Sequence, residues 1–301
     1  MACPLAVFPF PPRPGTGYNS AVENSAPRDT GTGVPKAWRD FEVVEVSAAG
    51  WRTRPDALVG EAPLLVELRH GPPRERRRTP LAVTLRTPGD DADLATGMLV
   101  AEGLVRTPRD LLRLTAVGEN VLRADLHPEV AVDAARLRRH GVVSSACGLC
   151  GKTSLDAIEA ACAALAPGPT VAAGLLHALP AKLQTRQDLF RRTGGLHAAA
   201  FVGPDGEIVA VREDVGRHNA VDKLVGAGLA AGPFPPVLFV SGRAGLELVQ
   251  KAAVVGVPIF AAVGAPSSLA VELARRVGMT LVGFVRADRF NIYAHPERIA
   301  P

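Results

Sequence analysis

The segment VLFVSGRAGLELVQKAAVVGVPIFAAV, residues 237–263, decides the fold, because it joins two short apolar strands through a helix. Residues 237–241 and 258–263 are almost entirely hydrophobic, and Leu246–Val255 carries apolar residues at helical spacing. The alternation of helix and apolar strand continues as far as residue 285. Short apolar strands that alternate with helices are typical of a parallel sheet covered on both faces. The sequence therefore predicts an α/β fold for this half of the chain.

Further elements are predicted upstream of that segment. HAAAFV and EIVAV flank the turn sequence PDG, which predicts a hairpin, and a helix is expected over Gly216–Leu229. Near the N-terminus, FEVVEV, LLVEL and LAVTL predict strands, and Asp90–Glu102 predicts a capped helix. Residues 1–37 hold seven prolines and four glycines without periodicity and predict a disordered tail. We expect a β-rich segment over residues 38–140 and an α/β core over residues 141–301.

The composition narrows the class of protein. Hydrophobic residues make up 47% of the 301 residues, but no apolar run approaches the roughly 20 residues of a membrane span. The N-terminal apolar stretch is broken by prolines and has no basic residue before it, which argues against a secretory leader. Four cysteines do not make a disulfide scaffold, so we expect a reducing cytoplasm. The net charge of +4 favours anionic ligands only weakly, and neither a nucleic acid nor a membrane is expected as a partner.

The segment GVVSSACGLCGKTSLDAI, residues 141–158, contains two cysteines three positions apart, Cys147 and Cys150. They precede a helix predicted over Leu155–Leu165. The free amides and the dipole at a helix N-terminus favour the thiolate, and Lys152 adds positive charge nearby. The pair is therefore a candidate for nucleophilic thiol chemistry.

The rest of the chain bears on two other interpretations of the cysteine pair, a structural zinc site and the site of a zinc deaminase. A structural zinc site needs about four protein ligands, whereas Cys3 lies in the predicted tail and Cys162 is expected to be a buried thiol. A zinc deaminase needs His-x-Glu and Pro-Cys-x-x-Cys. Here His197 is followed by Ala198 and Ala199, and Ala146 replaces the proline. We therefore expect no metal site, while a thioredoxin-like redox pair stays open.

Two polar clusters lie further along the chain. RRTGGLHAAA, residues 191–200, contains Gly194 and Gly195, whose backbone permits close approach of a ligand, followed by His197. REDVGRHNAVDKLVG, residues 212–226, combines acidic, basic and amide side chains at a turn before a helix. Its candidate site residues are Asp214, Arg217, His218, Asn219 and Asp222. Each of them taken alone is equally compatible with a structural role.

The predicted strands also end in residues suited to phosphate. Ser241, Gly242 and Arg243 follow one apolar strand, and the next helix carries Lys251. Arg286 and Arg289 follow the last apolar strand. Ligands of open α/β sheets bind at the carboxyl ends of the strands, where helix N-termini receive phosphate groups. No Walker A or G-x-G-x-x-G motif is present, so an ordinary NTPase or dinucleotide dehydrogenase is disfavoured and another phosphate-bearing ligand is expected.

Taken together, these motifs resemble the FdhD family, the formate dehydrogenase accessory sulfurtransferases. The resemblance runs in the family's order over roughly residues 40–299, and its segments are PLAVTLRTPGDDADLATGMLVAEGL, SSACGLCGKTSLD, RRTGGLHAAA, REDVGRHNAVDKLVG, SGRAGLE, GAPSSLA and GFVRADRFNIYAHPERI. The loop PPRERRR and the N-terminal tail depart from the family pattern.

The resemblance implies a cytidine-deaminase-like three-layer α/β/α fold and a homodimer. It also implies a reaction, in which sulfur is accepted from a cysteine desulfurase as a cysteine persulfide. The sulfur is then passed to the molybdenum of bis-molybdopterin guanine dinucleotide, the cofactor that formate dehydrogenase needs in sulfurated form. A guanine nucleotide such as GDP is expected to mimic that cofactor.

By position, Cys147 matches the family's persulfide cysteine and Cys150 its partner, which either resolves the persulfide or only tunes the first thiol. The stretch 284–289 matches the segment associated with the molybdenum cofactor. The residues expected to bind the cofactor are Phe284, Val285, Arg286, Ala287, Asp288, Arg289, Gly194, Gly195, His197, Asp214, Arg217, His218, Asn219, Ser241, Gly242, Arg243 and Lys251. Two alternatives stay open, namely a cofactor chaperone that handles no sulfur and a dithiol oxidoreductase.

Overall fold

The computed structural model describes residues 36–133, 162 and 164–301. Cys147, Cys150 and all of the predicted tail except its last two residues lie outside the described residues. Of the helix predicted over Leu155–Leu165, only residues 162, 164 and 165 are described, and none of these three is helical. No helix in the described part of the chain is long and apolar enough to cross a membrane.

The N-terminal part contains a hairpin and a separate four-stranded sheet. The hairpin is formed by β1 (Trp38–Ser47) and β2 (Gly50–Val59), and the sheet by β3 (Ala62–His70), β4 (Arg77–Arg86), β5 (Leu111–Gly118) and β6 (Val121–Leu126) in the order β4-β3-β6-β5. The strands predicted from FEVVEV, LLVEL and LAVTL are confirmed as parts of β1, β3 and β4. Strands β2, β5 and β6 escape prediction because Arg, Asp or Pro residues interrupt their apolar alternation.

Helix α1 (Asp91–Ala101) confirms the helix predicted over Asp90–Glu102, and these two residues are its caps. The inward-facing residues of β3, Leu64, Val66 and Leu68, alternate with exposed or half-buried neighbours, as expected for a sheet with one buried face. They join the buried leucines of α1 in one hydrophobic core.

The C-terminal part is a layered α/β structure. Its elements are β7 (Val171–Ala172), α2 (Ala173–Arg186), α3 (Asp188–Thr193), β8 (His197–Val202), β9 (Ile208–Asp214), α4 (Arg217–Gly228), β10 (Val237–Val240), α5 (Leu246–Val254), β11 (Ile259–Ala262), α6 (Ser268–Val277), β12 (Thr280–Gly283), β13 (Asn291–Ala294) and β14 (Ile299–Ala300). Six of the strands form one sheet in the order β13-β12-β11-β10-β8-β9, and β7 pairs with β14. The predicted hairpin and the three helices predicted in this part are confirmed, while α2, α3, β7, β13 and β14 were not predicted.

The sheet is mixed: the parallel arrangement predicted from the alternation of helices and apolar strands is confirmed at its centre, while the strands at its edges are antiparallel. Strands β10, β11 and β12 are parallel, but β8, β9 and β13 run antiparallel to their neighbours. The reason is the length of the connections. A parallel pair needs a crossover of a dozen or more residues, and the turns between β8 and β9 and between β12 and β13 are shorter.

Both faces of this sheet are covered, so the predicted α/β fold is confirmed. Phe201, Leu238 and Phe260 point into one core with helices α1, α4, α5 and α6. Their neighbours along the strands, such as Phe239, point into a second core with α2. The fully apolar strands are thereby explained, because residues on both faces are buried.

Two glycines bring α1 and α4 into backbone contact. A Cβ atom at Gly97 would overlap the carbonyl of Asp222, and one at Gly226 would overlap the carbonyl of Asp93. The close crossing fixes the N-terminal sheet and its helix against the helix that begins at the edge of the central sheet.

Candidate functional site

The predicted site residues gather at one edge of the central sheet. The carboxyl ends of β10, β11 and β12 lie there, together with the start of β8 and the end of β9, since His197 pairs with Asp214 in the strand register. The segments that follow β10, β11 and β12 are joined to one another by backbone hydrogen bonds. The amide of Gly264 donates to the carbonyl of Gly242 at 2.8 Å, and that of Phe284 donates to Gly264 at 3.1 Å. Ligands of open α/β sheets bind at such an edge.

A pocket of about 400 Å³ opens at this edge, between α3 and the start of β8. Its lining residues are Gln187, Phe190, Gly194, Gly195, Leu196, His197 and Ser241. Gly194 ends α3 with a φ of 67°, a conformation that favours glycine. Four predicted residues, Gly194, Gly195, His197 and Ser241, are thus brought together. Gln187 and Phe190 were missed, although Asp188 and the glycine at position 194 mark a short helix in the sequence.

His197 lies half-buried in the pocket wall. Burial lowers the pKa of its imidazole below 6.5, and the charge of Arg217 lowers it further. A Cβ atom added at Gly242 would lie 3.4 Å from Nδ1 of His197 and 4.0 Å from Cδ of Arg217. The Ser241 hydroxyl accepts a hydrogen bond from the amide of Ala198 at 2.9 Å, which fixes it beside the imidazole. This corner can therefore present a neutral imidazole, a hydroxyl and an arginine to a ligand.

Asp214 and Asn219 hold the turn before α4. The fully buried Asp214 carboxylate accepts from the amides of Thr87 and Gly216 at 3.1 and 2.8 Å and contacts the Lys223 ammonium at 2.8 Å. The Asn219 carboxamide donates to Asp214 at 3.0 Å and to the carbonyl of Leu85 at 2.7 Å. These contacts give both residues a structural role at the junction of the two sheets, and their predicted contact with a cofactor stays a prediction.

Helices α4 and α5 are joined by two buried ion pairs. Nε2 of His218 lies 2.6 Å from the Glu247 carboxylate, and the Lys251 ammonium contacts Asp222. Burial raises the pKa of Asp222, and Lys251 opposes that shift. The ammonium of Lys251, predicted to contact phosphate, is thus engaged with a buried carboxylate.

Three arginines at the same edge of the sheet have no such partner among the described residues. In the described part of the chain, the side chains of Arg217, Arg243 and Arg289 make no hydrogen bond or ion pair. Arg217 is half-buried, whereas Arg243 and Arg289 are exposed. Guanidinium groups of this kind can bind phosphate in a bidentate manner.

The segment 284–289 forms the far side of the site. Phe284 is 40% exposed and adopts a φ of 54°, which is rare for a residue other than glycine. Nη1 of Arg286 donates to the carbonyls of Val263 and Val285, both at 2.8 Å, so this guanidinium ties two strand ends together. Val285 is buried, while Ala287 and Asp288 are exposed. A phosphate contact by Arg286 stays a prediction.

The cysteines of the predicted reaction, Cys147 and Cys150, lie outside the described residues. Cys162 is described, and it is buried as predicted. Within residues 36–133, 162 and 164–301, no three His, Cys, Asp or Glu side chains are grouped as metal ligands.

The comparison with known proteins shows the family of this chain. The model of the FdhD/NarQ family matches residues 75–300, which is most of the chain and includes the whole sheet edge. This chain belongs to the FdhD/NarQ family. The sulfur carrier protein FdhD of Streptomyces coelicolor is 47% identical over 274 residues, covering 86% of this chain and 94% of that protein. The sulfur carrier protein FdhD of Mycobacterium tuberculosis is 45% identical over 265 residues, covering 82% of this chain and 93% of that protein.

A solved structure supports the fold of this FdhD/NarQ family member. It is a putative formate dehydrogenase accessory protein from Desulfotalea psychrophila, with a TM-score of 0.70 and 22% identity, and the match covers 88% of this chain and 100% of that one. The resemblance to the FdhD family that the motifs gave is thus confirmed, and so is a general assignment to sulfur carriers.

Proposed function

We propose that this FdhD/NarQ protein is a sulfurtransferase that accepts sulfur as a persulfide on Cys147. The sulfur then passes to the molybdenum of bis-molybdopterin guanine dinucleotide for use by formate dehydrogenase. The observation that carries the proposal is a sheet edge that has a pocket of about 400 Å³ and also carries Arg217, Arg243 and Arg289, whose guanidinium groups have no hydrogen bond or ion pair among the described residues. This cofactor, called the cargo below, carries pyrophosphates and a planar base, and such a molecule fits this edge.

The chemistry on the protein needs only thiols. The Cys147 thiolate attacks the outer sulfur of a desulfurase persulfide, and the desulfurase cysteine leaves as a thiolate. In one route, the Cys150 thiolate then attacks the inner sulfur of Cys147 and expels sulfide towards the metal. The two cysteines are oxidised to a disulfide while the transferred sulfur is reduced to sulfide. In the other route, Cys150 only tunes the first thiol.

The described residues have a distinct task in this proposal, which is to hold the cargo. Arg217, Arg243 and Arg289 bind phosphate oxygens, and Gly242 permits the approach of the cargo beside His197. The neutral imidazole of His197 and the hydroxyl of Ser241 provide hydrogen bonds without adding charge. A cysteine desulfurase and formate dehydrogenase are the expected partners, and a cytoplasmic homodimer is the expected state.

Intact mass spectrometry tests the thiol assignment. The full-length protein is incubated with a cysteine desulfurase and cysteine, and the added mass of one sulfur is scored on wild type and on single variants. Cys147→Ala is expected to abolish the stable persulfide, whereas Cys162→Ala, which removes a buried thiol, is expected to load normally. Persistence of the persulfide on Cys147→Ala overturns the assignment. Cys150→Ala separates the two routes, because only the resolving route predicts persulfide that loads but is not released.

Binding of GDP tests the cargo edge. Arg289→Ala removes an exposed guanidinium that has no partner among the described residues, and it is expected to weaken GDP binding about tenfold, the effect of one charge-assisted contact. Its melting temperature is expected to stay unchanged. Arg286→Ala is expected to lower both affinity and melting temperature, because its guanidinium bonds two carbonyls of the strand ends. Unchanged GDP affinity in both variants would contradict binding of the cargo at this edge.

A further inference from the structure

The two buried ion pairs between α4 and α5 differ in their distance from the sheet edge. His218 and Glu247 are each the second residue of their helix, so their 2.6 Å contact joins the two first turns. Asp222 and Lys251 lie four residues further along each helix and join the second turns. All four side chains are largely buried. Asp222 and Lys251 must offset the desolvation of their charges, whereas the contact of His218 with Glu247 is ionic only when the imidazole is protonated.

The pair of His218 and Glu247 is close in the chain to Arg217 and Arg243, two of the arginines that have no partner among the described residues. Arg217 is the first residue of α4 and adjoins His218 in the chain. Its side chain passes Gly242, the residue before Arg243, within 4.0 Å of a Cβ placed there. Arg243 precedes α5 in the same connection that leads to Glu247, and Ala244 between them is fixed by a bridge to Pro266. The contact between His218 and Glu247 therefore links the turn that carries Arg217 to the helix that follows Arg243.

We propose that His218 and Glu247 are positioning residues, which hold Arg217 and Arg243 at the spacing needed to bind one diphosphate group together. The inference rests on the proposed function, because it takes the pyrophosphate-bearing cargo as the ligand of this edge. It assigns a role to Glu247, which the sequence motifs did not single out. It also changes the role of His218 from a contact with the cofactor to support of the arginines that make the contact.

A role in positioning the arginines differs from a role in packing α4 against α5, because only the first affects ligand binding. Both ion pairs connect the same two helices at similar depth, so loss of either one is expected to lower stability. Only the first pair is adjacent in the chain to residues that meet the ligand. Two guanidinium groups bind a diphosphate well only when their separation matches the two phosphates, since misplaced groups lose most of their benefit.

Titration calorimetry of the full-length protein with inorganic pyrophosphate tests the proposal. Glu247→Ala is expected to weaken binding about tenfold, whereas Glu247→Gln keeps the size of the side chain and a polar oxygen beside the imidazole and is expected to bind within about twofold of wild type. Asp222→Ala is the matched control, and it is expected to lower the melting temperature without changing the affinity. If Glu247→Ala does not fold, His218→Asn breaks the same contact and carries the same expectation.

A double-mutant cycle gives the readout that a merely structural role would not move. If Glu247 acts through Arg217, then Glu247→Ala has no further effect on affinity once Arg217→Ala is present. Full additivity of the two changes, or an equal loss of affinity in Asp222→Ala, overturns the positioning role while leaving the sulfur reaction untouched. A wild-type protein that does not bind pyrophosphate overturns both this inference and the cargo edge, and the persulfide measurement on Cys147 then stands as the separate test of sulfur transfer.

Discussion

At the scale of single residues, Asp214 illustrates how a motif that looks like a binding site can serve the fold. Its carboxylate is fully buried and has four partners, all of them in the protein. The mixture of acidic, basic and amide side chains around it in the sequence is equally typical of a ligand pocket. The arrangement becomes clear only when Thr87, far away in the chain, is seen to donate to the same carboxylate.

Replacement of Asp214 by Asn is expected to destabilise the protein by about 3–5 kcal/mol, because it leaves the buried Lys223 ammonium without its counter-charge. The free energy of unfolding from urea titration measures this effect. Asp40→Asn is the control, since Asp40 is exposed on β1, and its effect is expected to stay within about 0.5 kcal/mol. Unchanged stability combined with lost GDP affinity would show instead that Asp214 serves the ligand.

His197 gives a prediction on pH. Its pKa in the folded protein is lowered from 6.5 by burial, so as the pH falls the unfolded chain takes up the proton first. The contribution of His197 therefore makes the protein less stable as the pH falls through 6.5 towards the lowered folded value. Asp222 and Glu213 act in the opposite direction, because burial raises their pKa values. The sign of the His197 contribution must consequently be measured as the difference in the pH dependence of stability between wild type and a His197 variant.

The variant His197→Gln is expected to lose less stability than wild type between about pH 7.5 and pH 5.5, where an imidazole titrates. Urea midpoints at the two pH values measure the difference. His70 also has a lowered pKa, and His70→Gln provides a comparison outside the site. An identical pH dependence in wild type and His197→Gln would rule out the titration of His197 as a cause.

At the scale of elements, the crossing of α1 and α4 depends on glycines that sequence periodicity does not reveal. Gly97 lies in mid-helix, where glycine is normally unfavourable, and its purpose is to admit the carbonyl of Asp222. Gly97→Ala is therefore expected to destabilise the protein by at least about 1–3 kcal/mol, the usual cost of overpacking. Thermal and urea unfolding measure it.

Gly174→Ala is the matched control for that substitution. Gly174 is also helical, but no atom lies within 4 Å of the position that its Cβ would take. Its replacement is expected to be neutral or to stabilise by up to about 1 kcal/mol, because alanine restricts the unfolded chain. If both substitutions cost the same, the close approach of the two helices is not what makes Gly97 necessary.

The elements also show what the sequence could and could not reveal. The apolar strands β10, β11 and β12 and the helices between them were predictable, because burial on both faces leaves an unmistakable hydrophobic pattern. Strand β2 was not, since Arg52, Arg54 and Asp56 interrupt its apolar pattern and pair with each other or with Glu45. At the site, glycines and arginines after apolar strands were enough to predict the edge of the sheet. Gln187 and Phe190 were missed because their place in the pocket depends on how α3 packs.

At the scale of the whole molecule, the N-terminal sheet and the central sheet share one hydrophobic core. Leu68 of β3, Leu99 of α1 and Phe260 of β11 belong to the same cluster of buried side chains. The secondary structure changes in type near residue 140, but the hydrophobic core of the described residues continues across that position. Two parts that share a core are expected to unfold together.

Hydrogen exchange tests this coupling with a substitution far from the central sheet. Leu68→Ala removes a fully buried side chain and is expected to cost about 2–5 kcal/mol. If the two sheets unfold as one unit, the amides of β11 lose the same protection as those of β3, because both exchange through global unfolding. Val44→Ala, which truncates a side chain 59% exposed on the β1–β2 hairpin, is expected to leave both strands unchanged. A loss of protection confined to β3, β4 and β6 would mean that the N-terminal sheet opens alone, and the edge of the central sheet with the candidate site would then be independent of it.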